Sequence, residues 1–317
     1  MSREKFEGGG LSEGEGRFRT TNERAAEEVL SRAPEEIVSV SPVEAEAIMG
    51  REQFFGPNDV TPTFGVYSEH VLPIPFSKKE LERAKELGQH LVFQVDTFRL
   101  PGIYGSSASF RFAPFTLENL YKKYKPDPPL VRWRANREEF RGQNFWKKET
   151  PRPGWRLVTP TPIPGLGASD YFEQIRFLTS YLQNEVYKGE PLPVAYRIAI
   201  EAFRTWENEW GVSRRNANEL PWQSFNEFLK LPLLSFFLER PVEVAYRLFL
   251  EYHRDTLTSL DADYVLTGTF SPSSWTGDLS MLQIGSPNAG LDMYYRKLKV
   301  GEKHALISFS RGETPVA

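Results

Sequence analysis

Apolar and polar residues along this chain fall into blocks whose spacing predicts alternating short helices and strands first, then longer helices, then strands. Ser41 followed by Pro42 predicts a helix start, because proline suits the first helical position, and Gly50 ends it. Ser77-Lys78-Lys79-Glu80 reads as a capping box, with Phe76 and Leu81 as its hydrophobic staple and Gly88 as the terminating glycine. This predicts a helix over 78–87. A strand is expected next over 89–98, with Leu91, Phe93 and Val95 on one face. Residues 99–115 read as an aromatic, Gly/Ser-rich loop, and Thr116 as the cap of a helix reaching Tyr124. Short strands are expected at 130–134 and 155–159.

Pro160, Pro162, Pro164, Gly165 and Gly167 then form a connector that reads as a domain boundary. Beyond it, helices are expected from Ser169 to about 188, over 192–210, in shorter pieces over 221–238, and from Pro241 to about 256 with Ala245, Leu248 and Tyr252 inward. After Asp261 the period changes. Strands are expected at 264–270, 279–284, 291–296 and 305–310, forming a small antiparallel sheet. At the other end, residues 1–21 are glycine-rich and poor in apolar residues, which predicts a flexible tail; a helix over 22–33 follows. The expected fold class is α+β, with a mixed N-terminal part (22–165), a helical middle, and a C-terminal antiparallel sheet closing the second part (166–317).

Composition narrows the chemistry. The 317 residues are 40% hydrophobic and 26% charged, which describes a folded chain. Zero cysteine excludes disulfides, thiolate metal sites and a cysteine nucleophile, and fits a reducing compartment. No apolar run approaches a membrane span, no apolar signal core opens the chain, and no Asn-x-Ser/Thr acceptor occurs. A cytoplasmic protein without membrane partners is expected. The motifs of phosphate-binding loops, dinucleotide folds, serine hydrolases and zincins are all missing. No cofactor is expected. The four histidines do not pair at helical spacing, and turn-forming is the commoner use of Asp261, Asp263 and Asp278, so no metal site is expected.

Several blocks are also familiar together: Arg32–Gly50, Phe54–Gly65, Ile74–Asp96, Thr150–Val158, Tyr171–Lys188 and Ile307–Gly312. In this order they resemble an uncharacterised family of predicted proteins from uncultivated environmental bacteria. The resemblance implies a bacterial source and brings no activity, cofactor or site residue.

Charge is the strongest clue. Residues 1–98 carry a net −7 and residues 157–317 a net −4, whereas residues 99–156 carry +8. Within this basic island, Arg132, Arg134, Arg137, Arg141, Lys147, Lys148, Arg152 and Arg156 alternate with Trp133, Phe140, Phe145, Trp146 and Trp155. Arginine forks suit phosphates and aromatics stack on bases or sugars. The leading expectation is a non-catalytic binding or interaction protein using this basic-aromatic surface. Its binding residues would be Arg132, Arg134, Arg137, Arg141, Trp146, Lys147, Lys148, Arg152 and Trp155, and its partner a polyanion such as nucleic acid, or a protein. The competing account has the island docked on the acidic N-terminal part with its aromatics in a core. Two alternatives stand beside these. One is a glycan-directed hydrolase with Glu149 as acid/base and Asp170 or Glu173 as the second carboxylate, since glycoside hydrolysis needs a facing pair. The other is a structural component of a larger assembly.

Overall fold

The computed structural model describes residues 39–65, 71–101, 110–124, 140, 142–159, 163, 171–210, 222–254, 264–272, 279–285, 292–297, 306–307 and 309–312. The expected tail, the 22–33 helix, the 130–134 strand and most of the 160–170 connector lie outside them. The fold is α+β.

Helix α1 (Pro42–Met49) starts on a reciprocal cap. Ser41 N donates to Glu44 Oε2 at 3.1 Å, and Glu44 N donates to Ser41 Oγ at 3.3 Å. Gly50, at φ +82°, closes it. Strand β1 (Phe54–Phe55) and helix α2 (Pro57–Phe64) follow. Helix α3 (Lys78–Glu86) has the expected box at Ser77 and Glu80, and both staple residues, Phe76 and Leu81, are buried.

The strand expected over 89–98 is two strands. β2 (His90–Gln94) stops before Val95 and Asp96, and β3 (Thr97–Pro101) pairs instead with β4 (Phe110–Pro114). Asp96 O accepts the N–H of Phe115 at 2.6 Å, which fixes the bend. The stretch read as a loop is therefore a hairpin. In β2 the four residues from Leu91 to Gln94 are all buried, so the one-faced alternation expected there does not hold; the strand is covered on both sides.

Helices α4 (Leu117–Tyr124) and α5 (Asn144–Lys147) pack on each other, and strand β5 (Gly154–Val158) follows. Thr116 Oγ1 accepts the Asn119 N–H, as its capping position predicts. The helical middle comprises α6 (Tyr171–Tyr181), continued by a π-helical turn over Leu182–Val186, then α7 (Val194–Trp210), α8 (Trp222–Phe228), α9 (Pro232–Phe237) and α10 (Pro241–His253). Strands β6 (Tyr264–Pro272), β7 (Leu279–Gly285), β8 (Asp292–Lys297), β9 (Leu306–Ile307) and β10 (Ser310–Arg311) complete it.

One sheet has the order β1-β2-β5-β10, with β1 parallel to β2 and the other pairs antiparallel. The C-terminal sheet has the order β8-β7-β6-β9. Two expectations change here. The segment 305–310 is not one strand: β9 ends at Ile307, and β10 crosses to the first sheet, where Ser310 faces Val158. Nor is the C-terminal sheet purely antiparallel, because β9 runs parallel to β6.

Two hydrophobic cores result. The first joins residues from Val40 to Val158 with Val242–Leu250 of α10; the second joins Ile163–Leu238 with Phe309. The expected boundary near residue 165 separates the cores but not the chain. Helix α10 returns to the first core and β10 to the first sheet, and residues 39–317 form one compact unit.

Candidate functional site

The basic island divides into an inner and an outer part. The inner part builds the core. Trp155 is 2% exposed, packs on Phe54 and Phe93 at 5.5 and 5.0 Å, and donates its indole N–H to Leu72 O at 2.8 Å. Trp146 is 4% exposed and lies 6.0 Å from Tyr121. The position of both indoles on a contact surface is thus corrected: at the base of β5 and on α5 they satisfy the apolar interior.

Arg152 is held too. It donates through Nε to Glu243 Oε1 at 2.7 Å and through Nη2 to Glu243 Oε2 at 2.6 Å, and it also reaches the carbonyls of Ser235 and Leu238. Its β5 neighbour Arg156 donates to Ser310 Oγ at 2.8 Å and to the carbonyls of Ser310 and Phe236. These arginines do dock internally, but on α10 and β10 rather than on the acidic N-terminal part.

Their partners form a charged row that the hydrophobic pattern of α10 conceals. Glu243, Arg247 and Glu251 are spaced four apart, so they share one helix face. Arg247 bridges Glu239 and Glu251, each at 3.2 Å, and His90 Nδ1 lies 3.8 Å from Glu251. Every one of the α10 charges is buried. Burial by itself would raise the Glu243 carboxyl; Arg152, Arg156 and the Arg240 N–H overcome it and hold the group at about 2. Burial, with Arg247 and Arg254 nearby, pushes His90 down to about 3, so it is neutral at physiological pH. The sequence signal was present: a charge every fourth residue in an otherwise apolar helix.

Glu149 is half-buried, and burial raises its carboxyl, with Glu243 adding to the rise and Arg240 and Arg152 opposing it. Its Oε2 has no hydrogen-bond partner. The carboxylate whose charge it feels, Glu243, is enclosed with both oxygens engaged by Arg152, so the two do not flank an open bond-cleaving site. Glu173 is exposed in the first turn of α6, and Asp170 lies outside the described residues. Among the described residues no group of three or more His, Asp or Glu is placed to hold a metal, and no helix is long and apolar enough to cross a membrane.

The outer part is the β3–β4 hairpin, and the end of α5 also carries exposed charge. In the hairpin Phe98 pairs with Ala113 and both are buried; Arg99 pairs with Phe112 and both are exposed. The alternation of strand side chains explains the division. Phe98 packs at 4.9 Å on Phe115, which in turn meets Phe64 and Tyr246, so the hairpin is anchored from beneath. Phe112 is 68% exposed; Arg111, also exposed, precedes it and by the same alternation points to the opposite face. The other exposed large apolar side chains among the described residues, Val43, Val71, Leu72 and Ile198, stand outside the basic island. Lys147 and Lys148 are exposed. Arg132, Arg134, Arg137 and Arg141 lie outside the described residues. The hairpin was missed in the sequence because its two short strands flank the Gly/Ser-rich stretch Gly-Ile-Tyr-Gly-Ser-Ser-Ala-Ser, which drew the whole segment into a loop reading.

Comparison of the chain with protein-family models, curated proteins and solved structures finds no match.

Proposed function

We propose that the protein is a non-catalytic binding protein whose contact surface is the outer face of the β3–β4 hairpin, and that its partner is single-stranded nucleic acid. The observation that carries this reading is Phe112, an aromatic ring left 68% exposed on a hairpin, with exposed Arg99 directly across from it. An exposed ring offers a stacking face to any base, and arginine offers paired donors to phosphate. Lys147 and Lys148 add charge at the end of α5, and the four arginines between 132 and 141 add more within the same stretch of sequence. This reading takes the protein as bacterial and cytoplasmic.

The test is binding to a labelled single-stranded oligothymidine at several salt concentrations, with wild type and a Phe112→Ala variant. Affinity of the wild type should fall steeply with salt as counterions are released. The variant should lose about 1–3 kcal/mol of binding for the lost stack while keeping the salt dependence and the melting temperature of the wild type. Absence of salt-dependent binding by the wild type to either DNA or RNA would refute the reading.

A further inference from the structure

We draw no further inference here: the strongest candidate, the cluster of buried polar side chains that Gln89 before β2, Tyr181 at the end of α6 and Arg311 of β10 form, carries nothing because the described residues show neither a cavity beside it nor anything that would occupy it.

Discussion

The inner and outer parts of the basic island are made of the same residue types and are put to opposite use. Around β5, arginine and tryptophan face inward, where Arg152 meets Glu243 and Trp155 meets Phe54 and Phe93. On the β3–β4 hairpin, Arg99 and Phe112 face outward over an apolar underside. The difference is one of layers. β5 is the third strand of a four-stranded sheet, with every residue buried, so a cation on or beside it must find internal partners, as Arg156 does at Ser310 and Arg152 at Glu243. The hairpin is a two-stranded ribbon, with Phe112 and Arg99 exposed on one side. Composition alone therefore says that a stretch is basic, while position in a layer decides whether its side chains are buried or exposed.

The sharpest way to break the comparison is to treat the inner part as though it were surface. Arg152→Ala leaves Glu243 buried without its main partner and should cost about 3–5 kcal/mol of stability by denaturant unfolding. Trp155→Ala removes a core ring and should cost a similar ~3–5 kcal/mol. A loss below 1 kcal/mol in either would show that β5 is not the buried strand described here.

Acid should act on the same inner row. Glu243 has its proton affinity lowered from 4.5 to about 2, so the stability it contributes is complete above 4.5 and is lost as pH falls towards 2. His90 is lowered from 6.5 to about 3, so the unfolded chain takes up its proton first, and stability declines as pH falls from 6.5 to 3. Thermal unfolding followed against pH should show this decline, and His90→Gln should flatten its upper portion between 6.5 and 4.5. An unchanged slope there would remove His90 from the account.

The smallest effects are expected outside. Phe112→Ala, or Lys147→Ala with Lys148→Ala, should leave stability within about 0.5 kcal/mol of wild type. A larger drop in melting temperature would mean that these residues have internal partners.

Elements with strong local signals were legible from the sequence. The Ser41 and Ser77 caps, the proline starts at 42 and 241, and the long stripe of α7 all depend on contacts within a few residues, and all appear at the expected places. What depended on distant partners was not legible. The break between β2 and β3 follows from the Asp96 carbonyl meeting Phe115, and the crossing of β10 from a pairing with β5, more than 150 residues away in sequence. The inward turn of Trp146, Arg152 and Trp155 likewise needs α4, α10 and β2, none of which local spacing could bring together. The charged row of α10 was readable at four-residue spacing, but its apolar neighbours drew attention to the packing face instead.

The central claim is that the outer face binds while the inner face builds. Amide hydrogen exchange with and without single-stranded oligonucleotide tests it most directly. Slowed exchange on binding should be confined to the basic island's exposed side, with β3 and β4 affected and β5 unchanged. Slowing in β5, or no slowing in the hairpin under conditions where the oligonucleotide is bound, would contradict it.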